Sequence, residues 1–429
     1  MLRYTGGWKA AHEAGINGAR QVTRRRILFL AEAVTLAHVA RPVALARGLD
    51  PSEWEIRLAC DSRYERAIGK LPFPTEPIWT ISPERFRRAI EGGGPIYDAR
   101  SLDRYVDEDL RLIDSFRPDA VVGDFRVSLG ISARKAGVPY INVTNAYWSP
   151  YAKIRHVVPE ITLARVLPIV LAQPLFDVFR GAGYAFHAMP VNRVRRKRGF
   201  ERLPLDFRSA IVDADMTLYA DIPEVIPTVA LPVSHRFIGP IPWSPSVPLP
   251  EWWPEIEAAA AIRPVVYVSL GSSGIPGGLA RVLGALRTMP VTVVAATAGR
   301  DELMPAPPNS RVAEYLPGDD CARVASVVVC NGGSPTAYQA LAAGKPMIGL
   351  AANTDQFLNM AAVEDAGFGI LLRARRATEN TIRAAVSRAI HDDGLIRQVR
   401  AARDAIGRYH PARELRAALA TVLGVQTPE

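Results

Sequence analysis

Between Val327 and Gly369 the chain passes twice from a short apolar β-branched run through a polar turn into a helical pattern, and that alternation leaves few folds open. Val327, Val328 and Val329 form the first run, Asn331-Gly332-Gly333-Ser334-Pro335-Thr336 breaks it, and apolar residues then recur at helical spacing. After Gly344-Lys345-Pro346 comes a second buried run, Met347 to Leu350, then Asn353-Thr354-Asp355-Gln356, then another helix. Strands this apolar on both faces belong to a parallel sheet covered by helices. In a doubly wound sheet ligands bind at the carboxyl ends of the strands, so both polar clusters would face one crevice. The two glycines let backbone approach a ligand closely, and the free N–H groups of Ala337, Tyr338 and Gln339 are expected to point outward beside Ser334 and Thr336. A diphosphate suits such a place.

The stretch resembles the nucleotide-sugar signature of GT-B glycosyltransferases in the UDP-glucosyl/glucuronosyltransferase-like superfamily (family 1), of the bacterial natural-product or lipid glycosyltransferase type. The usual form is H-x-G-x-x-S/T-x-x-E, then A-x-G-x-P, then D-Q, and Gly333, Thr336, Gly344, Pro346, Asp355 and Gln356 match at that spacing. The resemblance implies that Asp355 and Gln356 hold the donor sugar's hydroxyls and that Gly332, Gly333, Ser334 and Thr336 face the phosphates. Two positions depart from the pattern. Asn331 stands for the histidine that lies against the diphosphate, and Gln339 for the glutamate that takes the ribose hydroxyls. Asn331 donates a hydrogen bond without charge, and an amide oxygen accepts from hydroxyls less strongly than a carboxylate.

A chain of 429 residues is too long for one ordinary core, and two domains are expected. The formal charge is +9, with Arg dominating, which suits a generally basic surface; no spacing typical of a nucleic-acid reader accompanies it. Cys60, Cys321 and Cys330 are scattered, which argues against a disulfide framework or a Cys metal site and fits a reducing cytoplasm. Residues 1–23 carry Lys9, His12, Glu13 and Arg20 without an apolar core and read as an extension. The most apolar later stretch, Ile161 to Phe176, is broken by Arg165, Pro168 and Pro174 and falls short of the ~20 residues that span a bilayer.

In the N-terminal half, Arg24-Arg25-Arg26 leads into the strand Ile27-Leu28-Phe29-Leu30, and a helix is expected over about 38–46. Ala37-His38-Val39-x-x-Pro42 is similar to the family's opening loop, whose histidine removes the proton from the acceptor hydroxyl. Imidazole suits that task near neutral pH. Taken alone, His38 reads as a capping or packed histidine; a carboxylate partner changes that. Ala120-Val121-Val122-Gly123-Asp124 ends a strand, and Ala136-Gly137-Val138-Pro139 follows the helix after it, an order the family shares. The resemblance implies that Asp124 orients His38 and stabilises its imidazolium. A helix cap is the other reading of Asp124, and Asp119 lies before the strand, on the wrong edge. Asn142 to Trp148 mixes amides with aromatics, so Asn145, Tyr147 and Trp148 are candidates for an acceptor cleft, or for a loop packed on the core. The apolar region Ile161 to Met189 falls where this superfamily shapes its acceptor pocket, which implies an apolar acceptor. Five basic residues between 193 and 198 suit a solvated helix face or contact with an anionic membrane surface.

Prolines crowd residues 238–264, a semi-rigid linker between domains. Val265 to Leu270 then forms a strand ending in Gly271-Ser272-Ser273-Gly274, whose amides and hydroxyls suit phosphate oxygens. Tyr315 and Leu316 fall where the family receives the nucleotide base, with Tyr315 able to stack on it. The expected fold is α/β, two Rossmann-like domains facing across a cleft: residues 24–237 for the acceptor, 265–400 for the donor, and 401–429 as helices crossing back. The expected chemistry is inverting transfer of a sugar from a UDP- or TDP-sugar to a hydroxyl of a small apolar acceptor. The nucleoside diphosphate sugar is a co-substrate, with no cofactor, metal or nucleic acid in the scheme, in the cytoplasm or at the inner face of the membrane. A catalytically silent relative, suggested by Asn331 and Gln339, and a UDP-sugar epimerase are the alternatives.

Overall fold

The computed structural model describes residues 24–92, 94–245, 247–271, 274–299 and 305–425. The extension over residues 1–23, and Ser272 and Ser273, lie outside them.

Two parallel sheets organise the chain. The first has seven strands in the order β3-β2-β1-β4-β5-β6-β7. They are β1 (Arg25–Ala31), β2 (Trp54–Cys60), β3 (Thr75–Pro77), β4 (Ala120–Asp124), β5 (Tyr140–Thr144), β6 (Met216–Tyr219) and β7 (His235–Phe237). The second has six, in the order β10-β9-β8-β11-β12-β13: β8 (Val265–Ser269), β9 (Thr292–Ala296), β10 (Ser310–Ala313), β11 (Val327–Cys330), β12 (Met347–Ala351) and β13 (Gly369–Arg373). The apolar runs are buried on both faces because helices cover both. In β1, Ile27 and Phe29 join one core and Leu28 and Leu30 the other, as side chains alternate across a strand. In each sheet the strand order reverses once, between β1 and β4 and between β8 and β11. Those reversals open the crevices in which this architecture binds ligands.

Six helices position the site or its surroundings: α1 (Ala37–Arg47), α2 (Ala99–Phe116), α3 (Ile169–Lys197), α4 (Ser334–Ala342), α5 (Thr354–Asp365) and α6 (Pro411–Leu423). α1 leaves the carboxyl end of β1, while α4 and α5 leave those of β11 and β12. α6 returns the chain to the first sheet, where Leu415 and Leu419 are fully buried over β4, β5 and β6, beside α1. Burying each such leucine stabilises by roughly 1.5–3 kcal/mol.

The chain therefore passes between the two halves twice, after β7 and before α6. These crossings touch. Gly239 has φ +77°, and a side chain there would collide with Tyr409; beside it Arg408 pairs with Glu224 at 3.0 Å.

Candidate active site

Parallel pairing of β1 with β4 sets Ala31 opposite Asp124, so the start of α1 and the end of β4 meet at the first reversal of strand order. There His38 Nδ1 lies 2.7 Å from Asp124 Oδ1. An unprotonated nitrogen so close to a carboxylate oxygen would set lone pair against lone pair, which favours Nδ1–H donating to Asp124, although Arg41 Nη2 at 3.0 Å could donate to the same nitrogen in the other tautomer. The Nδ1–H tautomer leaves Nε2 with its lone pair, and no described residue bonds to it. Asp119, as its place before the strand suggests, binds Arg26 N–H at the opposite edge, at 2.7 Å.

Arg41, one turn along α1 from His38, is the residue that sequence reasoning missed. Its Nε and Nη2 donate to the two oxygens of Asp124 at 2.7 and 2.8 Å, and its Nη1 donates to Asn145 Oδ1 at 2.5 Å. Asp124 is fully buried and Arg41 nearly so, hence each charge depends on the other for its place in the interior. The i, i+3 spacing of His38 and Arg41 on one helix face was the available signal.

Asn145 continues this chain across the cleft. Its Nδ2 donates to Asp221 Oδ1 at 3.1 Å and to Ser334 Oγ at 2.9 Å. Its amide is thus engaged within the protein and buried. Asp221 also accepts from Ala146 N–H at 2.5 Å, and burial pushes its carboxyl up to about 6 despite these donors.

Aromatic rings surround His38. Phe125 stacks on His38 at 4.8 Å, with Phe86 and Trp148 at 6.3 and 6.2 Å from Phe125. Phe125 reaches that position with φ +55°, an uncommon conformation for a bulky side chain and one that tends to mark functional sites. Behind the dyad lies a second buried charged group, also unseen in the sequence. Glu32 accepts from Tyr105 Oη at 2.8 Å and lies 3.6 Å from Arg126 Nη1, while Arg126 Nε donates to Asp109 at 2.7 Å. Burial raises Glu32 to about 7, against the pull of Arg126.

On the donor side, Asn331 and Gly271 come together at the reversal between β8 and β11: a side chain at Gly271 would meet the Asn331 amide. Asn331 Oδ1 accepts from Gly333 N–H at 3.0 Å. Gly332, at φ +83°, has room for no side chain because Met360 packs against it. α4 begins at Ser334, earlier than the sequence suggests, and Ala337 N–H already bonds Gly333 O at 3.2 Å. The helix leaves the N–H groups of Ser334 and Thr336 at its open end, in place of those of Ala337, Tyr338 and Gln339. A small cavity beside Asn331 is lined also by Leu270, Gly274 and Arg281.

Asp355 stands at the first turn of α5, where its Oδ1 accepts from Trp148 Nε1 at 2.8 Å and Tyr147 Oη at 3.1 Å. Candidate acceptor and donor residues therefore hold one another across the cleft. Gln356 Oε1 accepts from Ala352 N–H at 2.8 Å and from Asn353 N–H at 3.3 Å, the second bond closing a capping box. Gln339 Nε2 donates to Trp243 O at 2.9 Å in the linker and to Ser244 Oγ at 3.2 Å, so its amide ties α4 to the linker. Tyr315 lies against Gly299, and Leu316 is buried in the core. Among the apolar residues of 161–189, Val166, Val170 and Val178 are mostly exposed.

Residues 280–417 match the family described as Erythromycin biosynthesis protein CIII-like, C-terminal domain. A PGL/p-HBAD biosynthesis rhamnosyltransferase of Mycobacterium bovis is 48% identical over 385 residues, covering 90% of this chain and 85% of that protein. A protein of the same species named an inactive PGL/p-HBAD biosynthesis glycosyltransferase is 42% identical over 293 residues, 68% of this chain and 78% of its own length. Among solved structures, the spinosyn rhamnosyltransferase SpnG complexed with thymidine diphosphate superposes with a TM-score of 0.64 over 92% of this chain and 99% of its own, at 20% identity. That last likeness is one of fold. With near-half identity over nine-tenths of its length, and with two Rossmann-like sheets reversing at facing crevices, the chain belongs to the GT-B nucleotide-sugar glycosyltransferases of family 1.

Proposed function

We propose that the protein transfers a sugar from a thymidine or uridine diphosphate sugar to a hydroxyl of an apolar, aromatic-bearing acceptor, with inversion at the anomeric carbon. The observation that carries this reading is the His38–Asp124 contact of 2.7 Å, with Nε2 left to the cleft among aromatic rings. The acceptor oxygen attacks the anomeric carbon as the bond to the diphosphate breaks, and its proton passes to His38 Nε2. Asp124 then faces an imidazolium through Nδ1–H, and Arg41 holds Asp124 in place. One displacement inverts the centre. Residues 24–237 would serve the acceptor and 265–400 the donor, joined by the linker 238–264.

Amides at Ser334 and Thr336, with Gly271, Asn331, Gly332 and Gly333, would meet the leaving diphosphate. Asp355 would take sugar hydroxyls beside Gln356, Tyr147 and Trp148 would line the acceptor approach, and Tyr315 would stack on the base. Rhamnosyl transfer by a 48% identical relative makes a thymidine diphosphate 6-deoxyhexose the first donor to try. The relative named inactive gives weight to a silent binding protein as the second reading, as do Asn331 and Gln339.

Turnover of TDP-rhamnose and UDP-glucose with phenolic acceptors, followed by nucleotide release, tests both. His38→Ala should lose turnover by about 10²–10⁴-fold while thermal stabilisation by the nucleotide persists. Turnover that survives in His38→Ala refutes the assigned base. Absence of turnover in the wild type with every donor that stabilises it would favour the silent reading.

A further inference from the structure

We infer that the outer face of α3 docks on a membrane surface containing anionic lipid. Leu171, Leu175, Val178, Phe179, Phe186 and Met189 fall within a sector of about 100° at 100° per residue, and that sector points to solvent. Val178 is 75% exposed and Phe179 64%, whereas Ala188 and Val191 on the far side are buried; Val170, 79% exposed, is the apolar residue that lies off the stripe. Apolar side chains concentrated on one exposed stripe mark an interaction surface, where scattered ones would not.

The same sector runs on into Arg193, Arg196 and Lys197, all exposed. Lys197 pairs with Asp103 at 2.6 Å, while Arg193 and Arg196 have no acidic partner among the described residues. The one acid of α3, Asp177, lies outside the sector and accepts from Gln173 at 3.1 Å. Sequence reading treated the apolar stretch and the basic cluster as separate features; one continuous helix joins them on one face. No described helix is long and apolar enough to cross a membrane, so the face suits lying in an interface.

Charge decides between a bilayer and a second copy of the chain. Two such faces packed in parallel would set Arg193 and Arg196 against their own counterparts, and packed antiparallel would set them toward Leu171 and Leu175. Anionic headgroups receive the guanidinium groups while the apolar stripe enters the acyl boundary. The face is held firmly for this purpose. Arg373 Nη2 donates to Val158 O at 2.8 Å and Arg376 Nη2 to Ala164 O at 2.9 Å, fixing the segment that leads into α3 to the donor half.

The test is flotation of the full-length protein with vesicles of phosphatidylcholine alone or mixed equally with phosphatidylglycerol. The wild type should bind the mixed vesicles, less so as salt rises, and should not bind the neutral ones. Val178→Asp/Phe179→Asp should abolish binding, and Arg193→Gln/Arg196→Gln should weaken it by about 30-fold. Melting temperature and circular dichroism report whether each variant stays folded, and because the four side chains are exposed, the arginine pair keeps the test valid if the apolar pair misfolds. A wild type that stays with the unbound fraction, or a folded Val178→Asp/Phe179→Asp that binds as well, overturns the inference. So does a lipid-free dimer, seen by analytical ultracentrifugation, that this substitution dissociates.

Discussion

Trp148→Phe should tighten donor binding. Trp148 Nε1 donates to Asp355 Oδ1 at 2.8 Å in the ligand-free protein, and Tyr147 Oη donates to the same oxygen at 3.1 Å. If Asp355 takes sugar hydroxyls, the donor must displace at least the shorter of these bonds. A hydrogen bond to a charged group contributes about 1.5–3 kcal/mol when both partners are sheltered, and both partners here are only half-buried, so the low end applies. A contact present before binding and absent after it opposes binding by its own strength; removing about 1.4 kcal/mol lowers the dissociation constant about tenfold. Phenylalanine keeps the ring against Phe125 while deleting the donor. Calorimetric titration with TDP-rhamnose, or with whichever donor proves active, reads the effect without any acceptor. Tyr147→Phe should give a smaller gain through its longer bond, and Asp355→Asn should weaken binding. An unchanged or higher dissociation constant for Trp148→Phe would refute the reasoning, because Asp355 would then hold the indole and the sugar together or would not meet the sugar.

Asp124→Asn should cost about 3–5 kcal/mol in stability by stranding the buried Arg41 charge, and urea denaturation measures it; a loss below about 1 kcal/mol would show that Arg41 finds another partner. Activity should fall with it, because an asparagine that turns its amide toward His38 no longer selects the Nδ1–H tautomer, and loss of turnover at temperatures where the variant is folded checks this. Glu32 sets a pH dependence whose sign follows from a folded value of about 7 against 4.5 for the free side chain. Only the unfolded chain ionises between those values, so stability falls as pH rises through that window, by about 3 kcal/mol in all, and is level above it. Glu32→Gln should flatten this slope and be the more stable form at pH 8, and parallel slopes in denaturant titrations at pH 5 and pH 8 would contradict the assignment.

The central strands β1, β4, β8, β11 and β12 were legible because each is an apolar run closed by glycine or a polar turn, as Val327 to Gly333 shows, whereas the more polar strands β2, β3, β7 and β10, at or next to the sheet edges, carry no such signal. The pairing of His38 with Asp124 was implied by the resemblance to the family's opening loop and strand order, and in the structure the two side chains lie 2.7 Å apart. Arg41 was not legible. An arginine inside a helix ordinarily reads as a solvated residue, and only the fold shows that this one turns inward onto Asp124 and Asn145. Glu32, Arg126 and Asp221 were hidden for a like reason, as buried charges lie outside any periodic pattern. The start of α4 was placed late because Pro335 reads as a breaker, yet proline is well tolerated in a helix's first turn. The apolar content of Ile161 to Met189 told nothing of direction, and direction decides whether a stripe lines a pocket or faces outward.

The two chain crossings lie against one another at Gly239 and Tyr409, so a relative motion of the halves would be expected to turn about that point, once the Arg373–Val158 and Arg376–Ala164 bonds between the halves give way. That turn would part Asn145 from Ser334 and part Tyr147 and Trp148 from Asp355 in the same movement. Admission of an acceptor beside His38 and release of Asp355 to a sugar then share one opening coordinate, so neither substrate would gain entry without loosening the seat of the other.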